Sequence, residues 1–201
     1  MKKNKLLSMM AAICMIALIG VGATTAYFSD TTEERVNIFT MGKVDIELEE
    51  PGWEEDKEDI VPGQSFAKDP TVTVVANSVP SYVFMNVEGI DEMEAVGFSI
   101  DGISTHWKKI DQEGVFKEDT KKDGIYVYVG DEIQPKIVES STEDTVLEPL
   151  FQKVTYGVEL TENSGGKFQI KVKAAAIQAE GGEDYTYTEA FKAMGDGILI
   201  R

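Results

Sequence analysis

Strict alternation of apolar and polar residues recurs along this chain, and it restricts the possible folds more than any other feature. In residues 43–49, Val44, Ile46 and Leu48 alternate with charged residues. A period of two is typical of a β-strand with one face buried and the other in water. The same alternation returns in 153–160 and in 167–178. The sequence therefore predicts antiparallel sheets, since these can face water on one side.

Further segments complete the predicted sheets. Residues 71–77 and 125–129 are typical of short strands, and 81–89 is apolar on both faces, which predicts a central strand. The runs 153–160 and 167–178 flank Asn-Ser-Gly-Gly and predict a hairpin. With at least six strands separated by turns, we expect an all-β fold, an antiparallel β-sandwich.

Only one or two short helices are expected beside these strands. Residues 91–98, "DEMEAVGF", are compatible with a short helical turn, whereas 103–110 are expected to enter a strand that buries Trp107 and Ile110. Thr186 and Glu189 have the spacing of a capping box, which predicts a short helix through Met194 that Gly195 can close.

The N-terminus has the pattern of a helical export signal. Three lysines precede an uncharged, largely apolar stretch from Leu6 to Gly22, and small residues follow it. We place the cleavage after Ala26, with Thr24 and Ala26 at the −3 and −1 positions and Tyr27 as the new N-terminus. Cleavage after Thr25 or Ala23 is the alternative within this interpretation.

A retained membrane anchor is the competing interpretation of the same stretch. The uncharged run extends to Ser29, which is long enough to span a bilayer. However, glycines and a pair of threonines interrupt its end, and no positive charge follows it. We therefore predict a signal peptide at 1–26 and contact with a membrane only through the uncleaved signal.

Charge and cysteine content restrict the function of the mature chain. Cleavage removes three of 19 basic side chains and none of 36 acidic ones, so that the formal net charge falls from −17 to −20. Such a surface repels nucleic acids and anionic membranes and suits solubility or contact with cations or basic partners. The one cysteine, Cys14, lies in the signal, so disulfides and thiol chemistry are not expected in the mature protein.

Motifs of metal or hydrolytic chemistry are scarce. The single histidine, His106, has no neighbouring ligand motif, and a catalytic zinc site usually needs three protein ligands. The acidic run 54–59 lacks the order of an EF-hand loop, although loose Ca²⁺ binding at grouped carboxylates stays open. His106 could serve a catalytic triad only with a serine that no motif marks. We predict no enzyme activity, no cofactor and no metal site.

Tyrosines favour one further kind of function, carbohydrate binding. Tyr126, Tyr128, Tyr185 and Tyr187 could stack on sugar rings. Alternating tyrosines in a strand also pack against a neighbouring sheet, so the pattern leaves both interpretations open.

The segment after the signal carries the most specific pattern. It contains Ala-Tyr-Phe-Ser-Asp at 26–30 and Asn-Ile-Phe-Thr-Met-Gly at 37–42, followed by the alternating strand. This pattern resembles the start of the camelysin and TasA-type proteins of Firmicutes, whose signal is processed by a SipW-type signal peptidase. The resemblance extends to 60–87 and 172–181, and residues 90–150 match weakly.

This resemblance implies a jelly-roll-like sandwich that is exported to the cell surface or biofilm matrix and joins fibres. Some relatives are metalloendopeptidases, and the absence of a zinc motif argues against that activity here. In donor-strand assembly, an N-terminal segment of one subunit completes the sheet of the next. Residues 27–42 would form this arm ahead of a domain at 43–201. Its apolar residues are Phe28, Val36, Ile38, Phe39 and Met41.

The resulting hypothesis is a secreted, non-enzymatic structural protein that self-associates into fibres. Its expected partners are the SipW-type signal peptidase, further copies of itself, and other matrix or cell-wall components. A camelysin-like metalloendopeptidase and a carbohydrate-binding surface module are the alternatives. The arm could also pack on its own domain as an ordinary first strand.

Overall fold

A computed structural model describes residues 43–53, 60–157, 168–179 and 186–200. Ten strands and two short helices form in these ranges. The strands are β1 (Ile46–Glu49), β2 (Ser65–Ala67), β3 (Thr71–Val74), β4 (Ser81–Glu88), β5 (Phe98–Ile100), β6 (Trp107–Ile110), β7 (Gly124–Tyr128), β8 (Thr145–Val146), β9 (Lys153–Tyr156) and β10 (Lys171–Gln178). The helices are α1 (Ile90–Ala95) and α2 (Tyr187–Met194), and a 3₁₀ turn (Gly195–Ile198) follows α2.

The strands form three antiparallel sheets, which confirms the predicted β-sandwich. The central sheet has the order β10-β4-β7-β6, and two three-stranded sheets have the orders β1-β3-β8 and β2-β9-β5. One face of the central sheet shares a core with the two smaller sheets, in which Val72, Met85 and Val154 are buried together. Sheets with one apolar face bury that face by packing against each other in two layers.

The opposite face of the central sheet is covered by the C-terminal helix α2 and the 3₁₀ turn. Phe84 and Val127 are fully buried there with Phe191 of α2 and Ile198 of the turn. The rings of Phe84 and Phe191 lie 5.3 Å apart. The central sheet is therefore buried on both faces, and seven of the eight residues of β4 are buried, as the sequence predicts for a central strand.

The ends of the helices follow from local sequence. The predicted capping box of α2 is confirmed, since the Thr186 backbone N–H donates to the Glu189 carboxylate at 2.8 Å and the Glu189 N–H donates to the Thr186 hydroxyl at 3.4 Å. The expected helical turn in 91–98 is the helix α1. Its N-terminal N–H groups are capped by Asp123, whose Oδ1 accepts from Ile90 at 2.8 Å and whose Oδ2 accepts from Gly89 at 3.0 Å.

Two expectations from the alternation are wrong. β9 and β10 do not form a hairpin, because β9 pairs with β2 and β5, whereas β10 pairs with β4. The physical reason is that β10 has apolar residues on both faces and matches the length of β4. In β1, Ile46 packs against the core as predicted, but Leu48 is 36% exposed.

Candidate functional site

The outer edge of β10 is the first candidate site. β10 is an edge strand of the central sheet and pairs over its full length with β4, from Lys171 opposite Glu88 to Gln178 opposite Ser81. Within the described ranges no strand pairs with its other edge. Its six inner residues are only half-buried. A long edge strand with exposed N–H and C=O groups is a ready template for another strand.

Apolar side chains line both faces of this edge. Val172, Ala174 and Ala176 pack against the core between the sheets, and Ala175 and Ile177 pack against the core under α2. The side chain of Lys173 is held by a hydrogen bond, in which its Nζ donates to the Leu199 carbonyl at 3.0 Å. A strand added here would therefore extend both apolar layers at once.

The predicted arm joins the domain near the end of β10. The carbonyl of Lys43, the first described residue after the arm, accepts the Val79 N–H at 3.1 Å. Val79 is two residues before Ser81, which lies opposite the last residue of β10. β1, which follows Lys43, lies beside β10. The start of the described domain is thus close to the open edge.

The predicted cleavage and arm residues themselves lie outside the described residues. This holds for Thr24, Ala26 and Tyr27 and for all five apolar arm residues, which are Phe28, Val36, Ile38, Phe39 and Met41. Their roles and the domain boundary at 42/43 stay predictions.

The second candidate site surrounds the single histidine. Nδ1 of His106 lies 3.0 Å from Oγ of Ser104, and Nε2 lies 3.2 Å from Oδ1 of Asp131. The His106 carbonyl accepts the N–H groups of Val129 and Gly130, which brings the loop that carries Asp131 alongside. Sequence reasoning missed this group, although a serine two residues before the only histidine was the available signal.

An open pocket of about 370 Å³ lies next to these side chains. Ser104 and His106 line it together with Asp101, Glu148 and Phe151. Glu148 also accepts a hydrogen bond from the Tyr128 hydroxyl. This hydrogen bond lowers the pKa of the Glu148 carboxyl group. Glu148 therefore contributes a negative charge beside His106.

Of the two interpretations of the tyrosines, packing against a neighbouring sheet holds for the two residues in β7. Tyr126 and Tyr128 are only 3% and 6% exposed and belong to the core between the sheets. Burial is the main cause that raises the pKa of both hydroxyl groups. Tyr187 packs on Phe116 and Tyr82, and Tyr185 lies outside the described residues. The two tyrosines of β7 therefore serve sheet packing, not sugar stacking.

Metal-binding clusters and membrane-spanning helices are both absent from the described ranges. These ranges contain no group of three or more His, Cys, Asp or Glu side chains close enough to hold a metal ion. The single histidine, His106, contacts one carboxylate, that of Asp131, and a catalytic zinc site usually has three protein ligands. None of the helices in these ranges is long and apolar enough to cross a bilayer.

Comparison with known proteins confirms the resemblance noted in the sequence. Residues 1–78 match the family model described as camelysin metallo-endopeptidase. The match includes the predicted signal, the arm, β1, β2 and β3. No curated protein matches the chain.

Proposed function

Since residues 1–78 match the camelysin family, we propose that this chain is a secreted structural protein of the cell surface or biofilm matrix. Its copies join into fibres when the arm of one copy, residues 27–42, pairs with the β10 edge of the next. The role is structural and not enzymatic. The observation that carries the proposal is the edge of β10, eight residues long, with which no described strand pairs and which is apolar on both faces.

The composition of the arm suits this edge. A strand that pairs with β10 has one set of side chains over each apolar layer, and the arm has Val36 and Ile38 on one alternation and Phe39 and Met41 on the other. Each large apolar side chain that leaves water contributes roughly 1.5–3 kcal/mol. Backbone hydrogen bonds would set the register, as in β-augmentation generally.

The length of the arm suits exchange between copies. Sixteen extended residues span roughly 50 Å at about 3.3 Å per residue. An arm of this length can leave its own domain at Lys43 and reach the edge of a neighbour. Because the donating and accepting surfaces differ, the contact is head-to-tail, and such contacts form open filaments unless the ring closes. Removal of the signal frees the N-terminus of the arm, so cleavage would permit assembly.

Deletion of the arm tests the proposal. The mature chain, residues 27–201, should form filaments by electron microscopy and light scattering, and a chain of residues 43–201 should stay monomeric. The shortened chain still accepts an arm but donates none. A small fraction of it added to the mature chain should therefore shorten the filaments. The proposal fails if both chains stay monomeric at all concentrations and pH values.

Engineered cysteines locate the contact. The mature chain has no cysteine, so a disulfide between Phe39→Cys in one copy and Ala175→Cys in another reports arm–β10 pairing directly. The matched control pairs Phe39→Cys with Val115→Cys. Val115 is 55% exposed and lies at the other edge of the central sheet, because the next residue, Phe116, forms a bridge with β6. Equal cross-linking of both pairs would exclude this register.

The family description favours a second candidate, a metalloendopeptidase. The described residues do not fit a zinc site, because His106 and Asp131 supply only two ligands. Cleavage of casein by the purified mature chain, lost on addition of a chelator and restored by zinc, would support the protease. His106→Ala should leave any such activity unchanged if the described domain holds no zinc.

A further inference from the structure

Beyond the role in assembly, we propose that Ser104 is a reactive hydroxyl group that accepts an acyl group from activated esters. Oγ of Ser104 lies 3.0 Å from Nδ1 of His106, and Nε2 of the same ring lies 3.2 Å from Oδ1 of Asp131. The three side chains form one hydrogen-bonded chain that ends at the pocket of about 370 Å³ lined by Ser104 and His106.

The direction of these hydrogen bonds follows from their chemistry. An ionised carboxylate only accepts hydrogen bonds, so the contact with Asp131 requires the proton on Nε2 of His106. Nδ1 is then the unprotonated nitrogen, and the Ser104 hydroxyl donates to it. This is the arrangement in which an imidazole takes the proton of a serine as general base. The carboxylate orients the ring from the other side.

Two backbone N–H groups lie next to the reacting oxygen. The His106 N–H donates to Oγ of Ser104 at 3.3 Å, which stabilises negative charge as it develops on that oxygen. The N–H of Thr105, the residue after Ser104, makes no hydrogen bond to another residue of the described ranges. Thr105 also lines the pocket, so its N–H is a candidate donor to an oxyanion. The turn is held in place by the Ser104 N–H, which donates to the Leu150 carbonyl at 2.8 Å.

The reaction is a simple acyl transfer. Oγ of Ser104 attacks the carbonyl carbon of the ester, its proton passes to Nδ1 of His106, and a tetrahedral oxyanion forms. The bond to the leaving group then breaks, the leaving group departs with that proton, and Ser104 carries the acyl ester. The acyl donor is neutral or cationic, because the carboxylates of Asp101 and Glu148 line the same pocket.

The test treats the mature chain with 4-nitrophenyl acetate and locates the acetyl group by tandem mass spectrometry. We expect acetylation at Ser104, with release of 4-nitrophenol in the same amount. Ser104→Ala should abolish it. His106→Gln should slow it about 100-fold, a usual contribution of a general base. Asp131→Asn should slow it less than about tenfold, because the Asp131 side chain is 97% exposed. Ser141→Ala, at a serine in a different loop, is the control.

The pH profile separates this role from a merely structural one. The acetylation rate of Ser104 should fall as pH falls, because a protonated imidazole cannot accept the proton, and this fall should be absent in His106→Gln. The charged groups around the ring are Asp131 and Glu148, with Lys136 and the Tyr128 hydroxyl next to Glu148. Anionic 4-nitrophenyl hydrogen succinate should react more slowly than the neutral ester.

Three results would overturn the proposal. The first is acetylation of lysines alone in a wild-type chain whose circular dichroism spectrum is that of a folded protein. The second is equal labelling of Ser104 in wild type and in His106→Gln. The third is a Ser104 labelling rate that follows the same pH profile in both chains. The acetylation sites of the wild-type chain, and the pH dependence of its Ser104 acetylation rate, test the proposal even if a variant fails to fold.

Discussion

Asp123 offers the sharpest test of how the loops of this domain are held. Its carboxylate accepts three backbone N–H groups from the start of α1, those of Ile90 at 2.8 Å, Gly89 at 3.0 Å and Asp91 at 3.3 Å. A second hydrogen bond links the same segments, since the Asp91 carboxylate accepts the Lys122 N–H at 2.8 Å. Asp123 therefore ties the loop before β7 to a helix that begins 33 residues earlier.

The expected cost of Asp123→Ala follows from these bonds. Hydrogen bonds to a charged group contribute about 1.5–3 kcal/mol each, and loss of a helix cap costs about 0.5–2 kcal/mol. Two of the three bonds are short and all are partly buried, so we expect a loss of about 2 kcal/mol in the free energy of unfolding. That corresponds to a melting temperature about 4–8 °C lower for a domain of this size.

Urea denaturation followed by circular dichroism measures this loss. Asp123→Asn should lose about half as much, because Gly89 and Ile90 use different carboxylate oxygens and an amide keeps only one. Glu118→Ala, which removes an exposed carboxylate from the same loop, is the control and should stay within about 0.5 kcal/mol of wild type. A loss below about 0.5 kcal/mol for Asp123→Ala would refute the reasoning.

Three further predictions concern the core and the charge pairs. Ser81 is fully buried, and its hydroxyl has no hydrogen-bond partner among the described residues. Ser81→Ala should therefore leave the free energy of unfolding unchanged or raise it by up to about 1 kcal/mol. Ser78→Ala removes a hydroxyl that bonds the N–H and the carbonyl of Asp45, and it should lower the free energy of unfolding in the same urea titration. Phe84→Ala empties a fully buried site against Phe191 and should cost about 3–5 kcal/mol by urea denaturation, and a loss under about 1 kcal/mol would show that α2 does not cover this face. The pKa of Asp119 is lowered to about 2 by hydrogen bonds from Lys109 and Lys117. A lowered pKa in the folded state stabilises the fold above the ordinary carboxyl pKa, and this contribution is lost as pH falls from about 4 to about 2. Melting curves of Asp119→Asn should therefore depend less on pH in that interval than those of wild type, and identical slopes would contradict the assignment.

Features that depend on neighbouring residues in the chain were predictable. The capping box at Thr186 and Glu189 is a contact over three residues, and the sequence alone predicts it because no other part of the chain has to be in place. The burial of β4 on both faces was predictable for a similar reason, since its apolar residues occupy both alternations.

Strand partners were not predictable in the same way. The turn residues between 153–160 and 167–178 favour a hairpin locally, but β9 and β10 enter different sheets. Ala174, Ala175 and Ala176 let β10 lie beside β4 with both faces covered. A local turn preference is small compared with the burial of two apolar faces, so tertiary packing decided the pairing.

The sequence by itself determined that this chain forms antiparallel sheets with a capped C-terminal helix, because periods of two and caps are properties of adjacent residues. Only the tertiary structure decided that Asp123 caps α1, that Tyr126 and Tyr128 are core residues, and that Asp131 contacts the His106 ring beside the pocket. It also placed β10 at the end of the central sheet, where its outer edge pairs with no described strand. The contacts of Asp123 with α1 and of Asp131 with His106 join segments 33 and 25 residues apart, and the packing of the sheets brings those segments together.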